Sequence, residues 1–133
     1  MGEDNLTYSL LMIEDRLSEC TLLSTALRKN LKEPLEILWC RSYEEAFGPL
    51  FSKKWDLVLI NAHLNGDEGL PTLKKVKNIT EEKNTPTVMY YSEKSDSWIL
   101  EKAIKAGASA VLTTQDIILP EGSGLLLSTM TEN

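Results

Sequence analysis

The sequence is short of the features that mark several large functional classes, and each shortage excludes something. Its two cysteines, Cys20 and Cys40, are isolated and have no C-x-x-C spacing. Neither a disulfide framework nor a zinc site is therefore indicated, and a reducing cytoplasm is the expected compartment. No stretch approaches the roughly 18 consecutive apolar residues of a membrane-spanning helix. The first residues carry Glu3 and Asp4 and no basic, apolar leader, so neither a signal peptide nor a membrane span is expected. Basic residues are the minority: 14 Lys and Arg against 20 Asp and Glu leave a net charge of −6, with the two signs interspersed. That balance argues against nucleic acid or an anionic membrane as the direct partner. There is no internal repeat and no low-complexity segment. A chain of 133 residues is most simply one domain, 1–133, long enough to bury a core. It is also compatible with being the N-terminal part of a longer protein.

What is present alternates between strand and helix patterns. Leu57 to Ile60 is an unbroken apolar run bounded by polar residues, the pattern of a central strand covered on both faces. Tyr8 to Ile13, Leu35 to Cys40, Thr87 to Tyr91 and Ala110 to Leu112 read as further strands. Between them, Leu22, Leu23, Ala26, Leu27 and Leu31 recur at helical spacing, in a first helix ending near Asn30. Ser42 and Glu45 have capping-box spacing for a second helix, in which Gly48-Pro49 predicts a kink or an early stop near Phe47. A third helix is expected over Glu68 to Ile79. A fourth runs over Trp98 to Ala106, capped by Ser95, Asp96 or Ser97 and closed by Gly107. Beyond Gln115, Pro120 and Gly122-Ser-Gly124 interrupt the pattern, so at best two short pieces are expected, one from about Gly124 to Met130. Five strands alternating with helices imply an α/β fold with a parallel sheet covered on both faces.

In such sheets ligands sit beyond the carboxyl ends of the strands. Glu14 and Asp15 follow the first strand and Asn61 the third, so two acids and an amide are expected at one sheet edge. Taken together, the acidic pair, the loop Asn61-Ala-His-Leu-Asn-Gly-Asp-Glu-Gly69 and Ala103-Ile-Lys-Ala-Gly-Ala108 before the fifth strand resemble the receiver domain of bacterial two-component response regulators. The likeness covers about Tyr8 to Thr114. It implies a flavodoxin-like (CheY-like) doubly wound sheet of order 2-1-3-4-5, here with an irregular last helix, and Leu11, Ile13, Leu57, Leu59, Val88 and Val111 are expected in its core. It also implies that Glu14 and Asp15 match the metal-binding acids, and that the backbone carbonyl of His63 matches a further metal ligand. Gly69 matches the glycine that opens the third helix, and Asn61 matches the aspartate that accepts a phosphoryl group.

The departures from the family pattern concern the chemistry. An amide nitrogen has its lone pair in resonance and an amide oxygen carries no full charge, so Asn61 is a poor nucleophile where a carboxylate would attack phosphorus. The family lysine falls at Thr114 and the proline after it at Gln115. Without that cation, the charge on a transferred phosphoryl group loses one of its stabilisers. The switch hydroxyl falls at Tyr91 or Ser92, depending on the end from which one counts, and the switch aromatic at Val111. The resemblance therefore implies a degenerate pseudo-receiver: a non-enzymatic signalling module that binds a protein partner, with a homodimer also compatible. It is expected to hold no cofactor beyond weakly bound Mg²⁺. Trp98, Lys102 and Lys105 are the expected interaction face. His63 as a lone loop histidine reads as a surface residue, Cys20 and Cys40 as small core residues, and Tyr90, Tyr91 and Trp98 as either docking or packing aromatics. Two other functions stay open. One is a working receiver in a phosphorelay, labelled on an atypical residue. The other is a small flavodoxin-like nucleotide or flavin binder, which the first turn disfavours because it has no glycine and places two acids where a phosphate would lie.

Overall fold

The computed structural model describes residues 7–92 and 98–131. Five strands, β1 Tyr8–Ile13, β2 Leu35–Cys40, β3 Leu57–Asn61, β4 Thr87–Tyr91 and β5 Ala110–Thr113, pair in parallel in the order β2-β1-β3-β4-β5. The helices are α1 Leu17–Asn30, α2 Tyr43–Ser52, α3 Gly69–Thr80, α4 Trp98–Lys105, α5 Thr114–Ile118 and α6 Pro120–Thr131, with a 3₁₀ turn at Glu81–Lys83 after α3. Side-chain alternation along the strands divides the core in two. Leu10, Met12, Leu57, Leu59, Val88 and Tyr90 pack with residues of α1, α5 and α6 on one face. Leu11, Ile13, Val58, Ile60 and Met89 pack with residues of α2, α3 and α4 on the other. Of the expected core residues, Leu11, Ile13, Leu57, Leu59 and Val88 are fully buried. Val111 is not central: it is half-buried, because β5 is an edge strand. Cys20 and Cys40 are free thiols in the core, and burial pushes Cys40 up to about 11.

Two helical segments differ from expectation. α2 runs through Gly48-Pro49 to Ser52 without stopping near Phe47. Pro49 still removes one helical hydrogen bond. Against that loss, α2 buries Ala46 and Leu50, and Tyr43, Phe47 and Phe51 contact edge to face at 6.0 and 5.1 Å between ring centroids. The Pro49 carbonyl also accepts from Ser52 Oγ at 2.8 Å and Trp55 Nε1 at 2.9 Å. At the N-terminus of α2, Ser42 Oγ accepts from Glu45 N as expected. The Glu45 carboxylate instead accepts from Arg41 N. The caps expected at Ser95, Asp96 or Ser97 lie outside the described residues.

The chain end is more helical than the two short pieces expected, one of them from Gly124 to Met130. α5 opens with a capping box, Thr113 Oγ1 accepting from Asp116 N and Asp116 Oδ2 from Thr113 N. α6 then runs unbroken over Pro120–Thr131. Pro120 is its first residue, where the missing N–H has no partner to lose. Gly122 is there for proximity: a Cβ on it would lie 1.8 Å from the Asp116 carbonyl oxygen. Ser123 Oγ donates to the Ile117 carbonyl at 2.7 Å and accepts from Asn30 Nδ2 at 3.0 Å, tying the turn to α1. Gly122→Ala is therefore expected to cost about 2–3 kcal/mol by overpacking. Gly124→Ala, with nothing within 4 Å of its added carbon, should be neutral or stabilise by up to about 1 kcal/mol. Thermal melts of the two variants check the contrast, and equal effects would refute the close approach.

Candidate functional site

The parallel register determines which side chains meet at the carboxyl edge of the sheet. Ile13 lies level with Ile60, and Asn61 with Tyr90. Glu14, one residue past β1, therefore falls in a row with Asn61 and Tyr90, all on the α1 side by alternation. The three form a hydrogen-bonded cluster. Glu14 Oε1 accepts from Asn61 Nδ2 at 3.0 Å and from the Tyr90 hydroxyl in a short bond. Glu14 Oε2 accepts from the Arg16 amide at 2.9 Å, and the Glu14 backbone carbonyl from Trp39 Nε1 at 2.6 Å. The cluster is buried, with Glu14 at 0%, Tyr90 at 1% and Asn61 at 4% exposure. Burial raises the Glu14 pKa, against the opposing effects of the Tyr90, Arg16 and Asn61 hydrogen bonds, and the Asp15 charge raises it further. Burial and the adjacent Glu14 carboxylate hold the Tyr90 hydroxyl firmly protonated.

Asn61 Oδ1 accepts from the His63 amide at 2.9 Å, which fixes the amide so that its nitrogen faces Glu14. The following loop is tight. Gly66 N donates to the His63 carbonyl at 3.0 Å, and Asn65 and Gly66 both have positive φ, 47° and 93°. Gly69 opens α3 against the loop backbone, where a Cβ would lie 2.2 Å from the Ala62 carbonyl oxygen. His63 is half-buried. Asp15 is half-buried, and its Oδ1 is buried with no hydrogen-bond partner.

The remaining expected site residues spread outward. Thr114 is buried at the start of α5, and its hydroxyl donates to Glu19 Oε2 on α1 at 3.1 Å. Tyr91 ends β4 level with Thr113 and is half-buried toward α2, α3 and α4, and Ser92 is exposed just beyond it. Trp98 is 52% exposed, with Lys102 Nζ over its ring at 4.9 Å. Sequence reasoning placed Glu14 and Asn61 together but missed Tyr90 as their partner, reading it only as a docking or packing aromatic. The signal was available in strand parity, since Tyr90 stands two residues after Val88 on the same face.

Among the described residues no group of three or more His, Cys, Asp or Glu could hold a metal ion, and no helix is long and apolar enough to cross a membrane. Within the cluster itself, the hydrogens of Asn61 and Tyr90 point at the Glu14 oxygen that would otherwise be open to a cation.

The fold matches a putative response regulator from Chloroflexus aurantiacus at TM-score 0.79 and 20% identity, covering 96% of this chain and 100% of that one. It matches a response regulator from Thermotoga maritima at TM-score 0.73 and 22% identity, covering 92% and 99%. A two-component response regulator from Clostridium difficile is 27% identical at TM-score 0.65, covering 80% and 82%. No curated protein matches the chain. The sequence model of the response regulator receiver domain matches residues 10–115, from within the first strand to the start of α5, and the chain belongs to that family, the receiver domains of two-component signalling.

Proposed function

We propose that this receiver domain is a pseudo-receiver: a non-enzymatic interaction module that works in one resident conformation, without phosphorylation at residue 61. The observation that carries this reading is the Asn61 Nδ2 to Glu14 Oε1 hydrogen bond of 3.0 Å. On this reading Asn61, whose amide is anchored from the other side by the His63 N–H, takes the position of the family's nucleophile. An amide in that position neither attacks phosphorus nor supplies negative charge to a metal. Thr114 gives a second support, since its hydroxyl is engaged by Glu19 and offers no cation to a transferred phosphoryl group.

The residues present do not fit a resident Mg²⁺. That ion demands six oxygens in near-octahedral array. Glu14 Oε1 is met instead by N–H and O–H hydrogens and Glu14 Oε2 by a backbone amide. Asp15 Oδ1 is a buried carboxylate oxygen without a hydrogen-bond partner, but Asp15 is a single carboxylate where the ion needs several ligands, and the His63 carbonyl already accepts within the loop turn. The partner is read as a protein, either a signalling protein or an output domain, met through a surface that includes Trp98, Lys102 and Lys105. The unmodified chain incubated with acetyl phosphate and Mg²⁺ is expected to show no mass increase of one phosphoryl group by intact-mass spectrometry. Stoichiometric labelling would replace this reading with that of a working receiver using an atypical acceptor.

A further inference from the structure

α3 and α4 present matching stripes to each other. On α3, Leu70, Lys74 and Lys77 recur at helical spacing, and on α4 Trp98, Lys102 and Lys105 do the same. Leu70, Lys74, Lys102, Lys105 and Ala106 line a groove of about 360 Å³ between the helices. Leu70 and Lys102 also border a neighbouring cavity of about 380 Å³ that reaches Pro71, Trp98, Ile99 and Asp67. The two are one trough with an apolar floor. Lys77 lies outside the lining of both cavities, its stem against Gly107 just past α4, with Cε 3.0 Å from where a Cβ would stand.

The charge there runs against the rest of the chain. In a protein of net charge −6, Lys74, Lys102 and Lys105 gather on this wall, and among the described residues that line the two cavities Asp67 is the one acid. Lys105 reaches Glu101 at 3.9 Å with both side chains more than three-quarters exposed, a pair that solvent largely screens. The C-terminal ends of α3 and α4 account for Lys77 and Lys105 through the helix dipole. They do not account for Lys74 in mid-helix, nor for a Trp98 left half in solvent.

We infer that this trough is a docking site for an acidic, amphipathic segment of a protein partner, its apolar side chains on Leu70, Pro71 and Trp98 and its carboxylates on Lys74, Lys102 and Lys105. The inference rests on the interaction-module reading and names the chemistry of that module's partner. A long nucleic acid fits less well. The chain's overall negative charge repels a polyanion beyond the groove, and an apolar floor offers nothing to phosphates.

The test is fluorescence anisotropy of the full chain with a labelled synthetic peptide that carries glutamates on one face of a helix and leucines on the other. Saturable binding is expected. It should weaken at least about tenfold in the Lys74→Gln/Lys102→Gln/Lys105→Gln variant, and weaken with salt. The corresponding triple Lys→Glu variant should instead bind the same peptide rebuilt with lysines. A control pair on α1 and beyond it, Lys29→Gln/Lys32→Gln, should stay within about twofold of the parent. Absence of saturable binding, or an equal loss in the control pair, would overturn the assignment. So would polyglutamate or a single-stranded oligonucleotide binding as tightly as the peptide, since either marks an unspecific anion surface. A homodimer that the triple Gln variant abolishes would overturn it in favour of a second copy of this chain. Acetyl phosphate labelling involves none of these lysines, so a labelled chain that binds the peptide and an unlabelled chain that does not would fail different halves of the argument.

Discussion

Asn61→Asp and Thr114→Lys are expected to restore efficient phosphorylation together and not separately. With acetyl phosphate and Mg²⁺, the Asn61→Asp chain should label slowly and incompletely, Thr114→Lys alone not at all, and the double variant about 10²–10³-fold faster than the first. The aspartate supplies a carboxylate nucleophile and removes the N–H that meets Glu14 Oε1, so it opens an oxygen pair to a cation. It leaves the phosphoryl oxygens without their second positive partner. The side chain at position 114 starts α5, is buried, and already reaches across to Glu19 on α1. A lysine there has a carboxylate beside it in the resting state and would have to exchange that partner for the phosphoryl group. That exchange favours the lower end of the range. Rapid, stoichiometric labelling of Asn61→Asp alone would show that a lysine at position 114 is not needed for efficient transfer. If, as proposed, Val111 stands at the family's switch-aromatic position, labelling of the double variant should leave the peptide affinity of the α3–α4 groove nearly unchanged.

The second large effect is on stability. At pH 7 the same Asn61→Asp change should cost about 2–4 kcal/mol, because it turns a buried hydrogen bond into two buried carboxylates side by side. For a chain of this length that is a fall in Tm of roughly 3–5 °C per kcal/mol. Tyr90→Phe removes the other donor to Glu14 Oε1 and should cost about 1.5–3 kcal/mol.

Both effects should depend on pH, with a definite sign. Glu14 already has a raised pKa, mainly through burial. A carboxyl raised in the folded state binds protons more tightly there than in the unfolded chain. Its contribution is then fully favourable below the ordinary glutamate value of about 4.3 and is lost as pH rises from there through the raised pKa. Asn61→Asp and Tyr90→Phe steepen that loss, and Glu14→Gln removes it. Urea melts at pH 5 and pH 7 should therefore bring the Asn61→Asp variant closer to the parent at the lower pH. Added Mg²⁺ should stabilise the variant and not the parent. An Asn61→Asp chain as stable as the parent at pH 7 and indifferent to Mg²⁺ would mean that the cluster is wetter and looser than its burial implies.

The sequence by itself determined the strands, because alternation and apolar runs are local patterns. β1, β2 and β4 fall where the pattern put them, and β3 and β5 each extend by one residue. It also determined that Glu14 and Asn61 would meet, because acids and amides at strand ends in a parallel sheet converge on one edge. The α5 capping box is also local, in Thr113-x-x-Asp116, but Pro120, Gly122 and Gly124 just after it carry the opposite, helix-breaking pattern.

The tertiary structure decided the rest. Pro49 loses its helical bond wherever it sits, and only the burial of Ala46 and Leu50 and the contacts of Phe47 and Phe51 outweigh the loss. Gly122 reads as a helix breaker until α5 turns out to pass within 1.8 Å of its missing Cβ. Val111 has the composition of a core residue but stands on an edge strand, which only the strand order reveals. Tyr90 became the partner of Glu14 through the register of β4 on β3. A one-residue slip in that register would turn its hydroxyl to the other face, and no local pattern in the sequence contains it.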